Sequence, residues 1–279
     1  MTLQQRVEGL VAQGADASRS EARDVVNELR HALSAGEVRA AEPDAASAAG
    51  WRVNAWVKQG ILLAFRFGTT VDQTTDGRGL FFDKDTLPLK PLSVASRVRI
   101  VAGGSSVRDG AWLGRGVICM PPMFVNIGAW VGDESLIDSH ALVGSCAQVG
   151  SRVHVSAAAQ IGGVLEPVGA LPIIVEDDVM IGGNCGIYEG TVIKRRAVLA
   201  AGTIITGSTP IYDVTTGSII RAQPGEPLIV PEGAVVVPGT RPMTMGPGKN
   251  WGLSIATPII VKYRDERTSA RTALEQWIR

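Results

Sequence analysis

Residues 124–162 read FVNIGAWVGDESLIDSHALVGSCAQVGSRVHVSAAAQIG, and an aliphatic residue returns at every sixth position of this stretch. The period extends upstream without a slip and marks ten residues: Val107, Leu113, Cys119, Val125, Val131, Ile137, Val143, Val149, Val155 and Ile161. A period of six fits neither the 3.6 residues of a helical turn nor the alternation of a hairpin. It predicts a parallel β-helix built of hexapeptides, with three hexapeptides to each coil.

Small or apolar residues stand four places after each mark, and we predict that they fill the prism beside the large aliphatic side chains. They are Ala111, Val117, Met123, Ala129, Ser135, Ala141, Ala147, Val153 and Ala159. Glycine or a short polar residue is frequent one place after the mark, as at Gly132 and Gly144. We predict that glycine there tolerates the turn at each corner.

The period breaks after Ile161 and resumes at Val175, continuing to Ile211. The gap of fourteen residues is two hexapeptides plus two residues, so a loop rich in proline and glycine is predicted near residues 166–173. A second excursion, over about residues 212–229, precedes a final coil at Val230–Val236. Long loops on a rigid scaffold often carry binding sites.

The first hundred residues have helical periodicity instead. Helices are predicted at Leu3–Gln13 and Ser20–Ser34, with Gly36 as the C-cap of the second, and a third over Trp51–Phe67 leading into a strand.

After the coils, Leu253–Tyr263 alternates as a strand and Asp265–Trp277 has the pattern of a short amphipathic helix. The predicted domains are therefore a helical region at 1–100, a β-helix at 101–240 and a C-terminal strand/helix cap at 241–279.

Composition narrows the function classes. The 27 lysines and arginines balance 27 aspartates and glutamates, so no basic surface for nucleic acid is expected. Lys58 and Arg66 interrupt the most apolar run, and the N-terminus lacks the pattern of a signal peptide, so no membrane span or export is expected. Three cysteines, an odd number, are interpreted as reduced core thiols of a cytoplasmic protein.

A single prism has flat faces, no deep cavity and open sheet edges at its ends, which the terminal segments are expected to cover. Pockets must then form between prisms. This geometry favours a cyclic homotrimer with three clefts between subunits.

Several motifs resemble those of a known family. FVNIGA at 124–129, VGSCAQVG at 143–150 and IGGVLEP at 161–167, together with WRVNAWVK at 51–58 and ILLAFR at 61–66, are similar to tetrahydrodipicolinate N-succinyltransferases. The resemblance runs from about residue 20 to Tyr263. It implies a homotrimeric left-handed parallel β-helix that moves a succinyl group from succinyl-CoA to the amino group of ring-opened tetrahydrodipicolinate, an intermediate of lysine synthesis.

The resemblance also implies site residues. Arg99 and Asn126 match substrate-binding positions, and Asp138 matches the active-site aspartate. From the sequence alone, Arg99 is either such a contact or a solvated arginine near the start of a strand. The family segment Gly-Ala-Arg-Ser-Glu-Val-Val-Glu-Gly reads GGNCGIYEG at 182–190, so the second glutamate is kept as Glu189 while Gly186 replaces the first, catalytic one. In the same comparison, Asn184 replaces an arginine and His140 replaces a tryptophan.

Acyl transfer to an amine needs a base for the ammonium proton and donors for the oxyanion. Asp138, predicted to point outward at a corner, either orients and deprotonates the amine or simply caps the turn. His140 is an alternative base, or a surface residue. Glu189 is either a second catalytic carboxylate or an exposed coil residue, and His154 is assigned a structural role.

The resemblance places the acyl-CoA along adjacent coils. The predicted contacts are Gly182, Gly183, Asn184, Gly186, Ala201, Gly202 and Lys262. The basic run Lys194–Arg196 lies either near the CoA phosphates or on an ordinary exposed face. No ligand spacing supports a metal.

Three functions follow from these observations. The first is a CoA-dependent N-acyltransferase, either the ordinary succinyltransferase or a specialised paralogue of the tabtoxin-biosynthesis type that uses acetyl-CoA; the lost carboxylate at Gly186 favours the paralogue. The second is a zinc hydratase of the γ-carbonic-anhydrase type, which needs three histidines although only His140 and His154 lie on the coils. The third is a non-catalytic β-helix that binds a partner.

Overall fold

A computed structural model describes residues 1–74 and 81–265. The predicted helix over Asp265–Trp277 falls almost wholly outside the described residues.

The N-terminal region is a three-helix cluster with two small hairpins. Helix α1 spans Leu3–Gln13 and begins with a capping box between Thr2 and Gln5. Helix α2 spans Arg19–Ala35, starts at the Ser18 cap and ends at Gly36, whose φ of 77° is the left-handed C-cap that the sequence predicted.

The third helix is shorter than predicted. Trp51–Val53 forms strand β2, which pairs with β1 at Ala41–Pro43, and helix α3 spans Ala55–Phe67. The extended start is favoured because Arg52 and Asn54 both bond Glu42 across the hairpin. A second hairpin, β3 at Thr70–Asp72 with β4 at Phe82–Lys84, follows the helix.

The β-helix has three faces, each a parallel sheet of short strands. Outside the two excursions, neighbouring strands on a face are one coil of 18 residues apart, as Leu136 and His154 are. The first face holds β5 Arg99–Ile100, β8 Ile118–Cys119, β11 Leu136–Ile137, β14 His154–Val155, β17 Met180–Ile181 and β20 Val198–Leu199. The second holds β6 Ser106–Val107, β9 Phe124–Val125, β12 Leu142–Val143, β15 Gln160–Ile161, β18 Gly186–Ile187 and β21 Ile204–Ile205. The third holds β7 Trp112–Leu113, β10 Trp130–Val131, β13 Gln148–Val149, β16 Ile174–Val175, β19 Val192–Ile193 and β24 Ile229–Val230.

The hexapeptide prediction is confirmed in register. The marked residues from Val107 to Ile211 are buried, and all but Ile211 form the second residue of a two-residue strand. The small residues four places later are buried beside them, so the prism interior is one continuous core.

The corner glycines have a different role from the predicted one. The left-handed residue stands three places after the mark, as at Glu134, His140 and Cys146, with φ between 57° and 66°. Gly132 and Gly144, one place after the mark, are instead required by close approach between coils. A Cβ on Gly132 would lie 2.6 Å from the carbonyl carbon of Gly150, and one on Gly144 would lie 2.3 Å from the next coil.

Two excursions interrupt the coils, as predicted. The first leaves after Ile161 and returns at β16. The second contains a hairpin that the sequence did not reveal, β22 at Ile211–Asp213 with β23 at Ser218–Ile220.

The C-terminal segment extends the first face. Strand β25, at Ala234–Pro242, pairs with β20, and after the short helix α4 at Gly246–Asn250 strand β26 at Ser254–Tyr263 returns antiparallel to it. Strand β26 also pairs in parallel with β22, so the strand predicted at Leu253–Tyr263 is confirmed.

The N-terminal region covers the third face. Arg39 lies 4.0 Å above the Trp130 ring and donates to Gln148 Oε1 at 3.0 Å. Its burial lowers the pKa of the guanidinium to about 10. Lys194, from the predicted basic run, bonds Glu176 Oε1 at 2.8 Å and the Ala49 carbonyl at 2.9 Å, so it fastens the two regions together.

Among the described helices, none combines the length and the apolar character that crossing a bilayer requires.

Candidate functional site

Seven of the predicted site residues lie on one edge of the prism, the first corner, where the chain passes from the first face to the second. They occupy three coils: Asp138 and His140, then Gly182, Gly183 and Asn184, then Ala201 and Gly202. Backbone bonds join the coils there, for example from Ala158 N to the Ser139 carbonyl at 2.8 Å and from Gly202 N to the Gly183 carbonyl at 2.9 Å.

The Asp138 carboxylate follows strand β11 and is fixed from two sides. Its Oδ1 accepts from the backbone N–H of Ser139 at 2.7 Å, which is the turn-capping contact. Its Oδ2 lies 3.9 Å from Nε2 of His154, with 31% of the Asp138 side chain exposed. Asp138 therefore caps its turn and still faces an imidazole and solvent, so the two interpretations of this residue are compatible.

His154, assigned a structural role from the sequence, is the histidine that the structure brings to Asp138. The 18-residue coil could have predicted this contact. It places His154 opposite Leu136, which is two residues before Asp138. A protonated His154 would form an ion pair with Asp138 at this distance, which is longer than a direct hydrogen bond.

The His140 side chain is exposed at the corner, and its backbone N–H bonds the Pro122 carbonyl at 2.6 Å. The φ of 62° at His140 is no mark of function, since Glu134, Cys146 and Arg152 adopt the same conformation at equivalent turns. Across residues 1–74 and 81–265, no three side chains of His, Cys, Asp or Glu gather as they would around a metal ion.

Asn126 and Glu189 lie on a different edge, the second corner, between the second and third faces. Asn126 Oδ1 accepts from the Ile127 N–H at 2.9 Å. Glu189 is exposed, with φ of 55°. One chain by itself therefore does not bring Asp138 and Glu189 to the same corner.

A cavity of about 880 Å³ lies along the second corner, between the two excursions of the β-helix. Its described lining is Leu142, Gly162, Gly163, Val164, Glu166, Pro167, Gly169, Ala170, Leu171, Tyr188, Glu189, Gly190, Gly225, Glu226 and Pro227. Three of the polar side chains in this lining are glutamates, so the cavity has an acidic rim that favours an ammonium group.

The wall of this cavity is anchored from the N-terminal region. Lys58, on α3, is fully buried and donates from Nζ to the Ala170 carbonyl at 2.5 Å. Burial lowers the pKa of the ammonium, since desolvation disfavours the charged form.

Gly186 lies on the second face beside the cavity, and the ring of Tyr188 covers it. A Cβ on Gly186 would lie 2.5 Å from Cε2 and 2.8 Å from the hydroxyl of Tyr188. Tyr188 could not be selected from the sequence pattern. The prediction for this segment concerned the family glutamate that Gly186 replaces.

The remaining predicted residues lie apart from both corners. Arg99 is exposed in β5, so it belongs to the first coil strand and lies two residues before the predicted start of the β-helix. Lys262, on β26, forms an exposed ion pair with Asp265 at 3.0 Å.

Comparison with known proteins identifies two matching segments. A family described as "Tetrahydrodipicolinate N-succinyltransferase N-terminal" matches residues 2–67, and one described as "Hexapeptide repeat of succinyl-transferase" matches residues 172–207.

Full-length relatives match across the chain. The 2,3,4,5-tetrahydropyridine-2,6-dicarboxylate N-succinyltransferase of Rhodopseudomonas palustris strain BisA53 is 40% identical over 270 residues, covering 94% of this chain and 92% of the relative. The protein of that name from Xylella fastidiosa strain 9a5c is 38% identical over 262 residues, covering 92% and 88%. A hexapeptide-repeat acetyltransferase of Vibrio cholerae, solved with acetyl coenzyme A, is 23% identical with a TM-score of 0.33 over 45% of this chain and 64% of that one.

Proposed function

This chain belongs to the tetrahydrodipicolinate N-succinyltransferase family, and we propose from that premise that it transfers the acyl group of a CoA thioester to the amino group of ring-opened tetrahydrodipicolinate. The observation that carries the proposal is 40% identity to a succinyltransferase over 94% of the chain. The proposed donor is succinyl-CoA. Gly186 supports a second candidate, the same transfer from acetyl-CoA by a specialised enzyme of the tabtoxin type.

The first corner is the proposed seat of the acyl-CoA. Gly182, Gly183, Ala201 and Gly202 form a strip with little side-chain bulk along two coils, and a Cβ on Gly182 would lie 2.5 Å from Ala201 N. An extended pantetheine arm can lie flat against such a strip and bond its peptide groups. Asn184, exposed on the same strip, adds a side-chain amide.

Asp138 is the proposed group that orients the amine and takes its proton, with His154 as its neighbour. In the transfer, the amine nitrogen attacks the thioester carbon, the C–N bond forms and the C–S bond breaks. The amine loses one proton, and the sulfur leaves as the CoA thiol. Asp138 lies on the same corner as the glycine strip, with one coil between them, so it is on the correct edge for this step. His140 is the alternative base.

Arg99 and Asn126 are the proposed contacts for the substrate carboxylates, since guanidinium and amide groups donate to carboxylate. Lys262 is proposed for the CoA phosphates.

The proposed assembly is a homotrimer. Asp138 lies on the first corner of the prism, whereas Glu189 and the cavity lie on the second. A cyclic arrangement that sets the first corner of one copy against the second corner of the next would unite them in each of three clefts.

The proposed compartment is the cytoplasm. Cys119, Cys146 and Cys185 are free and buried, and burial raises the pKa of the first two thiols to about 12. Unreactive reduced thiols suit a reducing compartment.

The test is a free-thiol release assay with tetrahydrodipicolinate, run in parallel with succinyl-CoA and acetyl-CoA. We expect thiol release with succinyl-CoA and a product heavier than the acceptor by one succinyl group in mass spectrometry. Faster release with acetyl-CoA would establish the second candidate instead. No release with either donor would refute both.

A further inference from the structure

The main chain of Tyr188 is fixed by the coil beneath it and by its own turn. Its backbone N–H donates to the Ile205 carbonyl at 2.9 Å, and its own carbonyl accepts from the Thr191 hydroxyl at 2.8 Å. The main chain at this corner is therefore bonded to the next coil and to its own turn.

Two glycines make room for the ring. Gly162 is the residue stacked against Tyr188 in the neighbouring coil, and a Cβ there would lie 2.8 Å from Cδ1 of the ring. A Cβ on Gly186 would lie 2.5 Å from Cε2 on the opposite edge. The ring thus rests on bare backbone at both edges, and any other residue at either position would move it.

The hydroxyl end of this ring lies on the Gly186 side, and Tyr188 lines the cavity of about 880 Å³. Among the described residues that line the cavity, Tyr188 has the only side chain with a hydrogen-bond donor. The other polar lining side chains, Glu166, Glu189 and Glu226, accept hydrogen bonds when ionised.

This division of polar groups matches the charges that develop in acyl transfer. A carboxylate rim attracts the ammonium group of the acceptor, but it repels the oxyanion formed at the thioester carbon. An oxyanion needs a fixed donor that points at it.

We propose that the Tyr188 hydroxyl donates a hydrogen bond to the carbonyl oxygen of the transferred acyl group and stabilises its oxyanion. The inference rests on the proposed acyltransferase function and on the proposed trimer, in which the Tyr188 cavity of one copy meets the acyl-CoA on the first corner of the next. It adds a catalytic residue to that function. When the amine nitrogen attacks, the carbonyl π electrons move onto oxygen, and Tyr188 keeps its proton while its hydrogen bond strengthens. When the C–S bond breaks, the carbonyl reforms and the sulfur leaves with the electron pair.

The decisive variant is Tyr188→Phe, which keeps the ring on its two glycines and removes one oxygen. Loss of an oxyanion donor typically lowers kcat by about 100-fold or more, and the openness of this cavity leads us to expect a fall of about 10- to 100-fold. The KM values for the acyl-CoA and for the acceptor should stay within about twofold, because the bond forms mainly in the transition state. Tyr212→Phe, on strand β22 outside the cavity lining, is the matched control and should keep wild-type kcat.

Gly186→Ala tests whether Tyr188 acts through its hydroxyl or only through the packing of its ring. The added methyl must displace the ring, so it should lower kcat in the wild-type background. In the Tyr188→Phe background no hydroxyl remains to misplace, so adding Gly186→Ala should change kcat less than about twofold. A double-mutant cycle measures this coupling.

The outcomes are distinct. If the wild-type enzyme is active and Tyr188→Phe has the same kcat, the role of Tyr188 is overturned while the acyltransferase proposal stands. If Gly186→Ala lowers kcat equally in both backgrounds, Tyr188 contributes only packing. A wild-type enzyme that releases no thiol with either donor would overturn the proposed function and this inference with it.

Discussion

At the level of single residues, Asp138 combines a turn cap with a carboxylate oxygen that faces His154 and solvent. Asp138→Asn keeps the shape and the capping oxygen but removes the charge and the basic site. We expect kcat to fall by about 100-fold or more, the lower range for loss of a general base, with the melting temperature almost unchanged.

The control for this variant is Asp133→Asn. Asp133 also accepts a backbone N–H, from Arg115 at 2.9 Å, but it lies on the third corner, where the third face passes to the first. Its substitution should leave turnover intact. Wild-type kcat in Asp138→Asn would remove this carboxylate from the mechanism.

Asp138 also shows how far the sequence could predict the site. Motif resemblance and the outward corner position select Asp138 as a candidate, and its role stays a prediction. The histidine beside this carboxylate could not be chosen from proximity along the chain, since His140 is two residues away and exposed. His154, sixteen residues away, is the neighbour because residues about one coil apart become adjacent in space.

Asp85 provides a pH-dependent prediction in the N-terminal region. Hydrogen bonds from Arg23 and from the Thr69 N–H lower the pKa of this carboxyl from 3.8 to about 2. A depressed carboxyl pKa stabilises the fold above the unfolded value near 3.8, and this contribution is lost as the pH falls through about 2.

We therefore expect Asp85→Asn to lower the free energy of unfolding by about 1–2 kcal/mol at pH 7, allowing for solvent screening of a half-buried pair. The difference from wild type should shrink from about pH 4 downward, and urea denaturation at several pH values measures it. Glu28→Gln, which breaks an exposed ion pair with Arg6, should cost less than about 0.5 kcal/mol. A pH-independent deficit in Asp85→Asn would contradict the ion-pair explanation.

At the level of elements, the sequence predicted the coils because each hexapeptide repeats the same local demand for one large and one small inward side chain. Strand β18 keeps this pattern with Ile187 inward, even though Gly186 beside it has no side chain. The excursions carry no such repeat. The hairpin of β22 and β23 is held in place by pairing with β26, where Tyr212 lies opposite Ile259, and local patterns do not encode so distant a contact.

The first excursion depends on Lys58, a buried cation whose Nζ bonds the Ala170 carbonyl. Lys58→Met keeps most of the buried stem and removes this anchor. The cavity wall should then be less well ordered, and we expect KM for the acceptor to rise about three- to tenfold, as loss of substrate positioning does.

The same variant has a pH signature in stability. Because burial lowers the pKa of Lys58, the unfolded chain binds more protons than the folded chain between that lowered value and 10.5. The free energy of unfolding of the wild type should therefore increase relative to that of Lys58→Met as the pH rises from 7 toward 10. Lys84→Met, which removes a partly buried lysine outside the cavity lining, is the control for KM. An unchanged KM in Lys58→Met would mean that the excursion holds its shape without the anchor.

At the level of the whole molecule, the three faces of the prism have different surroundings. The N-terminal region covers the third face through Arg39, Trp51 and Lys194, and β25 and β26 extend the first. Which face would be covered could not be predicted, because the hexapeptide period concerns only the inward residues and Trp112 and Trp130 point outward. On the second face, Phe124 and Leu142 are partly exposed, and Ile204 is 48% exposed.

This apolar second face, between the Asp138 corner and the cavity, is where we expect the trimer contact. Wild-type protein should sediment at three times the chain mass of 29.3 kDa. Ile204→Asp places a charge on the contact and should shift the protein to monomers that keep the wild-type circular dichroism spectrum. Those monomers should lose nearly all activity, since Asp138 and the Tyr188 cavity would then belong to separate molecules. Val214→Asp, at a 63% exposed position in the turn between β22 and β23, should remain an active trimer. A fully active monomer would show that one chain completes the site, and both the inter-subunit cleft and the division of roles between its two corners would have to be abandoned.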